Sequence, residues 1–598
     1  MTRPLPMDPH FSISGNIVDV VRREIFPGSL QVENGRIRKV IRKLVRRGEN
    51  PAGGPEPLFI LPGFIDAHVH IESSMLTPSE FARLAVVHGT TGSVSDPHEI
   101  ANVLGMEGVR FMIENGKKVP FRFNFGAPSC VPATPYESSG AVITPDDIRE
   151  LLKQPEIKYL SEMMNFPGVV HGDGDVQLKL RYAREAGKVV DGHIPGITGN
   201  DLQLYVSSGI STDHECFTIE EALEKIALGM KILIREGSAA KNFDELAPLL
   251  ASHPQMVMFC SDDKHPDDLI EGHMDQLIRR ALDKGHELFD VLRAVTLNPV
   301  KHYGLDSGLL QEGDVADMVV VNNLQDLQVL QTWIGGKKVA ENGRSLLAST
   351  TGQSPNRFSC RPLGPHQLKV AASNGSPAAA SNASPANAGP DSPGETGDGN
   401  PAIAGTGDPA GLTRKVRVIQ ALDGQLVTRE LCLDLQVKDG CVNADPGQDL
   451  LKLVCLNRYR ESEPALAFIR GFGLKRGAIA STVAHDSHNI IAVGGNDSDI
   501  ASAINLLVEN KGGIALANGS QQQVLPLPVA GIMTQADGYE TARLYKEIDG
   551  QAKKLGSPLA SPFMTLSFMA LLVIPELKLS DKGLFDGKAF RFTSLFCD

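Results

Sequence analysis

The sequence predicts an α/β protein whose central part is a (β/α)8 TIM-like barrel, accompanied by a small flanking β domain and a C-terminal α+β domain. Three observations lead to this fold class. Short apolar runs recur between residues 63 and 263, helical patterns fall between them, and segments of alternating apolar and polar residues lie on either side. Parallel strands joined by helices close most naturally into a barrel, with its chemistry at the carboxyl ends of the strands.

The apolar runs give eight predicted strands, at 63–68, 91–96, 121–126, 158–163, 188–193, 210–215, 231–236 and 256–263. Seven of them end in residues able to bind a metal or move protons. These are His68 with His70, Asp96, Glu162, His193, His214 with Glu215, Arg235 with Glu236, and Asp262 with Asp263. A random scatter of buried polar residues would not favour one end of each strand, so we expect a functional rim there.

Helical patterns follow several of these runs. The clearest is "TIEEALEKIALGM", with Ile219, Leu223 and Ile226 at helical spacing and a capping-box pattern formed by Thr218 and Glu221. Similar patterns occur in "TPSEFARLAVVHG" and "TPDDIRELLKQ". The alternation of strand and helix is that of repeated βα units.

The remaining segments suggest further domains. Alternating β patterns before and after the barrel, within 1–60 and 301–350, are expected to form one flanking domain around a barrel of residues 61–300. Residues 371–413 contain little besides Ala, Ser, Gly, Pro, Asn and a few acids, which predicts a flexible linker. Residues 414–598 mix strand and helix patterns and are predicted to form the separate α+β domain.

Composition excludes several classes of partner. The 598-residue chain has a formal net charge of −13, which argues against a nucleic-acid partner because no basic stripe is available. The eight cysteines include no CxxC pair, so neither a zinc ribbon nor a dense disulfide framework is indicated. We expect a cytoplasmic protein without a membrane partner, since the sequence has neither a signal-peptide pattern nor an apolar run of about 18 residues.

The "HVH" of "PGFIDAHVH" is the first candidate metal site. Residues i and i+2 of a strand face the same side, so His68 and His70 would project together into the barrel mouth. Further imidazole and carboxylate donors lie at the ends of later strands. Together with the two histidines they are enough to bind two divalent metals, with Glu162 as the bridge between the metals. These donors are Glu162, His193, His214 and Asp262.

Simpler interpretations exist for each residue taken alone. Glu162 could form a salt bridge, and His214 could be a hydrogen-bonded core histidine. In the rear domain, His485 and His488 could form a second metal site, belong to an ordinary polar surface, or lie buried against the barrel mouth. Zinc deaminases of the cytidine type are excluded, because their P-C-x-x-C pattern is absent.

Longer strings resemble a known family. "PGFIDAHVHIESSM", "DPHEIANVLG", "EMMNFPGV", "FCSDDKHPDDL" and "TLNPVKHYGL" are similar to the amidohydrolase superfamily and, within it, to the bacterial adenine deaminases. In the rear domain, "GFGLKRGAIASTVAHDSHNIIAVGGND" and "PELKLSDKGLFDGKAFRF" resemble the C-terminal domain peculiar to that enzyme family. The resemblance covers nearly the whole chain except the linker.

The resemblance implies hydrolysis of adenine to hypoxanthine and ammonia by a metal-activated hydroxide, with Asp262 as general acid/base. The matching ligand positions are His68, His70, His193, His214 and Asp262, and Glu162 stands where many relatives carry a bridging carboxylated lysine. Further metal-proximal or substrate candidates are Asp96, Glu99, Glu215, Arg235, Glu236, Ser238 and Asp263. The expected cofactor is a pair of divalent ions, Mn²⁺ or Fe²⁺ in preference to Zn²⁺.

Two other functions compete with this one. Another cyclic amidohydrolase would act on a lactam or an N-acyl bond, and a catalytically silent barrel would serve as a scaffold. A silent relative should lack at least one metal donor, and none of the expected donors is missing. The sizeable rear domain makes a homodimer or larger assembly the expected oligomeric state.

Overall fold

The computed structural model describes residues 10–43, 58–372 and 412–597. The stretch predicted as a linker, 371–413, lies outside the described residues except for its ends. Before the barrel, the chain forms strands β1 (His10–Asp19), β2 (Glu24–Glu33), β3 (Arg36–Arg42) and β4 (Phe59–Pro62). Within the described ranges, no helix combines the length and the apolar character needed to cross a membrane.

Eight parallel strands follow, one at each predicted position. They are β5 (Phe64–Val69), β6 (Thr90–Ser95), β7 (Arg122–Ala127), β8 (Ile157–Met163), β9 (Val190–Gly192), β10 (Thr212–Asp213), β11 (Lys231–Arg235) and β12 (Val257–Cys260). β5 to β9 pair in sequence order, as do β10 to β12. Bridges from Val190 to Ile210 and from Val69 to Asp262 join the two sheets, so the strands curl into a TIM-like barrel.

Apolar side chains fill most of the barrel interior, which also holds the buried carboxylate of Asp191, an acceptor of hydrogen bonds from Tyr303 and Thr212. Ile65, Val94, Leu233 and Met258 belong to one buried cluster inside the barrel. The later strands β9 and β10 are shorter than their apolar runs predict, because the chain leaves the sheet at Gly192 and Asp213. The rim residues after these strands therefore lie on loops.

Helices connect the strands and cover the barrel. They are α1 (Pro78–Ala85), α2 (His98–Leu104), α3 (Met106–Gly116), α4 (Pro145–Leu151), α5 (Phe166–His171), α6 (Gly174–Glu185), α7 (Gly199–Ser207), α8 (Ile219–Ala227), α9 (Phe243–Leu246), α10 (Leu249–Ser252), α11 (Pro266–Glu271), α12 (Met274–Asp283), α13 (Leu288–Ala294) and α14 (Leu297–Tyr303).

Helix α8 begins at the predicted cap, but only half of the capping box forms. Thr218 Oγ1 accepts a 3.3 Å hydrogen bond from Glu221 N. The Glu221 carboxylate instead accepts from buried Lys225 at 2.7 Å and from the backbone N–H groups of Gly196 and Phe217. The side chain that would have completed the cap thus ties α8 to the loop after β9.

After the barrel, the chain returns to the first sheet. Strands β13 (Met318–Val321), β14 (Val329–Ile334), β15 (Lys337–Glu341) and β16 (Arg344–Ser345) pair with the N-terminal strands. The resulting eight-stranded sheet has the order β16-β15-β14-β13-β4-β1-β2-β3. Strands from both sides of the barrel therefore share one sheet.

The rear part is built on a ten-stranded sheet. Its elements are β17 (Val370–Ala371), β18 (Thr413–Gln420), β19 (Arg429–Lys438), β20 (Cys441–Val442), β21 (Leu451–Leu456), β22 (Ala465–Arg470), β23 (Ala478–Ser481), β24 (Ile490–Gly494), α15 (Asp497–Asn510), β25 (Gly513–Asn518), β26 (Gln521–Pro526), α16 (Gly538–Lys554), α17 (Pro562–Ser567), β27 (Leu577–Ser580), β28 (Gly583–Asp586) and β29 (Arg591–Phe592).

The large sheet runs in the order β17-β20-β19-β18-β22-β21-β24-β23-β25-β26, and β27 to β29 form a separate small sheet. Helix α15 starts where Asn496 caps the backbone N–H of Asp499 at 2.8 Å, and it buries Ile500 and Ile504 against the sheet. A disulfide joins Cys432 of β19 to Cys597, a pairing that the scattered cysteine pattern did not predict.

Candidate active site

The two histidines of the "HVH" motif meet at the rim of the barrel. His68 lies in β5 and His70 follows its end, and the register of β5 against β6 shifts between Asp66 and Val69, which re-aims the side chains. His68 Nε2 lies 3.1 Å from His70 Nε2. Both nitrogens face Asp262 Oδ1, at 3.4 and 3.3 Å. The first and last strands of the barrel thus bring three donors together.

Asp262 is held by the closure of the barrel. Its backbone N–H donates to His68 O at 2.9 Å, and its carbonyl accepts from His70 N at 3.2 Å. Its φ of +55° lies in the left-handed region, which aspartate tolerates better than most residues. Backbone pairing therefore orients the carboxylate toward the histidines.

Glu162, at the end of β8, lies between two groups of histidines. Its Oε1 is 3.4 Å from His70 Nε2 and 3.4 Å from His98 Nδ1. Its Oε2 is 2.9 Å from His193 Nδ1 and 3.2 Å from His214 Nε2. Each carboxylate oxygen faces a different pair of imidazoles, which is the arrangement that a bridging carboxylate needs.

The donor set fits divalent metal ions. Ligand bonds of about 2.0–2.2 Å put neighbouring ligand atoms roughly 3 to 3.5 Å apart, as these donor atoms are. Several buried groups have ligand atoms within 4.8 Å of one another: His68, His70 and Asp262; His68, Glu162 and His214; His70, Asp96, His98 and Glu162. Imidazole with carboxylate suits manganese, iron or zinc.

Arg235 compensates the carboxylates on one side of the cluster. Fully buried, it donates from Nη1 to Asp262 Oδ2 at 2.7 Å and from Nη2 to Glu215 Oε2 at 3.0 Å. Burial alone would raise the pKa of Asp262, but Arg235 and the facing histidines hold that pKa well below its usual range. Asp262 is therefore a carboxylate at neutral pH and can accept a proton.

Three other predicted residues lie at the same rim. Asp96 Oδ2 lies 3.0 Å from His98 Nδ1 and fixes that ring. Asp263 lines the cavity and accepts a hydrogen bond from Ser73 Oγ. Glu99 also lines the cavity, and it contacts His485 and His488 of the rear domain.

Glu236 and Ser238, predicted as metal-proximal or substrate residues, lie outside the cavity lining. Successive side chains of a strand point to opposite faces, so Arg235 faces the cluster while Glu236 turns outward. Glu236 Oε2 instead pairs with Arg280 Nη1 at 2.9 Å. Ser238 Oγ donates to Asp268 Oδ2 at 2.5 Å and accepts from His265 N at 2.8 Å.

The sequence patterns do not single out His98, and they leave the position of His485 open, with burial against the barrel mouth as one alternative. His98 joins the cluster through Glu162 and Asp96, and its signal was the "DPHE" string, in which only Asp96 and Glu99 were singled out. The rear domain also reaches the site, through a cavity with about 300 Å³ of space free of atoms, part of it open to solvent. The cavity's rear-domain lining consists of Leu426, His485, Asp486, Phe568 and Leu571.

A parallel barrel that carries a histidine–carboxylate cluster at the carboxyl ends of its strands is typical of metal-dependent hydrolases. Residues 59–339 match the amidohydrolase family, and residues 425–591 match the adenine deaminase C-terminal domain. Curated relatives extend this likeness over the whole length of the chain.

Three of these relatives are named adenine deaminase. The Salinibacter ruber protein is 50% identical over 595 residues, which cover 99% of this chain and 100% of the relative. The protein of a Sulfurovum species is 50% identical over 97% of this chain and 98% of the relative, and that of Methanosarcina mazei is 49% identical over 98% and 99%. The chain belongs to the adenine deaminase family.

Proposed function

We propose that this protein hydrolyses adenine to hypoxanthine and ammonia. The observation that carries the proposal is the convergence of Asp262 with His68 and His70 beside Glu162, in a cavity that both the barrel and the rear domain line. The relatives matched over their full length are adenine deaminases. The proposal accounts for both the hydrolytic centre and the additional domain.

Two divalent ions are the proposed cofactors, manganese or iron in preference to zinc. His68, His70 and Asp262 would hold one side of the site, His193 and His214 the other, and Glu162 would bridge them. When bound, such ions lower the pKa of water so that hydroxide is available at neutral pH.

Asp262 is the proposed proton carrier. It takes a proton from the attacking water as the water oxygen bonds to C6 and the C6–N1 double bond opens, and it passes protons toward the ring nitrogen N1 or the departing amine. One water proton ends on N1, and the other ends on the exocyclic nitrogen as its bond to C6 breaks. Water thereby supplies the oxygen of hypoxanthine, and ammonia leaves. Arg235 keeps Asp262 ionised and oriented through the 2.7 Å hydrogen bond to Oδ2.

The proposal also includes the domain boundaries, the location and the oligomeric state of the protein. The barrel comprises residues 61–300, the flanking domain 1–60 and 301–350, the linker 371–413 and the rear domain 414–598. We infer a cytoplasmic homo-oligomer, a dimer or larger, that acts in purine salvage or adenine catabolism. Sedimentation analysis of the full chain tests the oligomeric state.

The direct test is an assay of the purified, metal-replete protein with adenine, following ammonia release and the loss of ultraviolet absorbance of the base. A panel of purine bases, nucleosides and cyclic amides run in parallel gives the specificity. Turnover of a lactam or N-acyl substrate without turnover of adenine would favour another cyclic amidohydrolase. Absence of turnover with the whole panel would favour a scaffold.

A further inference from the structure

A turn of the rear domain reaches across to the barrel mouth. Residues 482–489, between β23 and β24, carry His485 and Asp486, which line the cavity with 2% and 3% of their surface exposed. The turn is held by Tyr459 Oη, which donates to Ser487 O at 2.6 Å, and by Asn489 Nδ2, which donates to Ser138 O of the barrel part at 2.8 Å. His485 therefore has a fixed position.

Glu99 anchors both histidines of this turn. Its Oε1 contacts His485 Nδ1 and its Oε2 contacts His488 Nε2. Glu99 is buried and each of its two oxygens faces an imidazole nitrogen, which is the environment of an ionised carboxylate. An ionised carboxylate only accepts hydrogen bonds, and the nitrogens that face it must therefore carry protons.

The two histidines differ in what their second nitrogen does. His488 Nδ1 accepts a 3.2 Å hydrogen bond from Ala484 N, and its Nε2 lies against Glu99 Oε2 in an ion-pair contact, so this ring faces Glu99 and not the cavity. His485 Nε2 is buried and has no hydrogen-bond partner among the described residues. The nearest carboxylate oxygen, Asp263 Oδ1, is 3.9 Å away. A buried polar atom in this state needs a partner that the protein does not supply, and at a cavity wall a bound ligand can supply it.

The surroundings of His485 favour a donor role toward an aromatic base. Burial opposes a charge on the ring, but Glu99 and Asp263 outweigh it and raise the pKa of His485 to about 9, so that Nε2 carries a hydrogen at neutral pH. The ring of Phe568, another lining residue, stacks on His485 with centroids 4.8 Å apart and planes at 19°. A flat heterocycle with ring-nitrogen acceptors matches an apolar wall that carries one outward N–H.

We propose that His485 is a substrate-binding residue that donates a hydrogen bond from Nε2 to a ring nitrogen of the bound base, while Glu99 holds its Nδ1 proton. This inference rests on the proposed function, and it gives the rear domain a direct part in substrate recognition. His488 acts on Glu99 and not on the base.

The test combines one substitution with changes in the base. Adenine offers ring nitrogens N1, N3 and N7 as acceptors, and each of three deazaadenines replaces one of them with carbon. His485→Gln should raise the KM for adenine about 10- to 100-fold, the size expected for a hydrogen bond from a charged donor, with kcat little changed. Inhibition constants and calorimetric Kd values for the three analogues complete the measurement.

The expected result is a coupling to a single nitrogen. His485→Gln should weaken the binding of two analogues by the same factor as the binding of adenine. It should leave unchanged the affinity for the analogue that lacks the contacted nitrogen. His488→Gln is the matched control: it lies in the same turn and contacts the same carboxylate, but it is absent from the cavity lining. It should weaken all three analogues by one common factor.

Several results would overturn the proposal. One is that His485→Gln lowers the affinity for all three analogues by the same factor. Another is that His488→Gln leaves the affinity for one analogue unchanged and lowers it for the other two. A fall in kcat at unchanged KM would assign His485 to the chemical step instead of binding. If His485→Gln and His485→Asn both fail to fold, the unsubstituted enzyme decides, because equal affinity for adenine and all three analogues excludes recognition of any ring nitrogen. Failure of the unsubstituted enzyme to deaminate adenine would instead refute the proposed function.

Discussion

Arg235 Nη1 donates a 2.7 Å hydrogen bond to Asp262 Oδ2, and the same guanidinium also holds Glu215. Asp262 Oδ1 is thereby left to face His68 and His70. The two oxygens of one carboxylate have separate partners, a fixed cation on one side and the histidine pair on the other. This division underlies the first two predictions.

Asp262→Asn should keep the fold and most of the metal but lower kcat by about 10²- to 10⁴-fold, because an amide cannot carry the proton. Ammonia release measures turnover, and elemental analysis measures the metal content. Asp263→Asn is the companion variant, since Asp263 lines the same cavity without facing the histidine pair. If Asp262→Asn stays near normal while Asp263→Asn is inactive, the proton carrier is Asp263.

Arg235→Met should lower the free energy of unfolding by about 3–5 kcal/mol, because it leaves Asp262 and Glu215 buried without their cation. Arg280→Met is the control, since this arginine is partly exposed and its pair with Glu236 lies outside the cavity. Its loss should cost less than about 1 kcal/mol. Urea unfolding of both variants gives the comparison, and similar losses would show that Arg235 does not offset buried charge.

Local sequence patterns predicted the barrel and six converging rim residues, from His68 to Asp262. Short, nearly continuous apolar runs mark strands that are buried on both faces, and the carboxyl ends of parallel strands meet at one rim. The geometry of the set therefore followed from strand order alone. The same reasoning overextended β9 and β10, because an apolar run does not reveal where the chain leaves the sheet.

Contacts between distant parts of the chain could not be predicted in this way. Glu99 and His485 are 386 residues apart, and no periodicity encodes which loop will cover a barrel mouth. In α8, helical spacing suggested that Leu223 is buried, yet 39% of its surface is exposed, while Lys225 is fully buried against Asp213 and Glu221. A periodic pattern predicts which face of a helix is apolar, but it does not predict which charged residues of a neighbouring loop will contact the helix.

Glu162→Gln should reduce metal affinity by at least about tenfold, because the amide cannot supply two anionic oxygens to two groups of histidines. Metal content after dialysis against a chelator, determined by elemental analysis, is the measurement. Glu137→Gln is a matched control, because this carboxyl is equally buried but is bonded to Thr134 and lies outside the histidine cluster. Equal metal loss in the two variants would contradict a bridging role for Glu162.

Lys578→Met should loosen the rear wall of the cavity. Lys578 Nζ donates to Leu426 O at 2.6 Å and to Phe568 O at 2.9 Å, and both of these residues line the cavity. Losing these bonds should raise the KM for adenine by about fivefold, the equivalent of about 1 kcal/mol. Lys452→Met is the control, since Lys452 is equally buried but bonds Leu368 O and Asp497, away from the cavity. It should lower stability without changing KM.

The same variant has a distinct pH signature. Burial lowers the pKa of Lys578 to about 7, so the folded protein releases this proton near pH 7, whereas the unfolded chain keeps it up to about pH 10.4. Between these values the unfolded state binds more protons, so this group makes the free energy of unfolding rise with pH from about 7 to about 10. Lys578→Met should flatten that rise in urea-unfolding midpoints. An unchanged slope would mean that Lys578 stays protonated in the folded protein, with a water or a carboxylate compensating its charge.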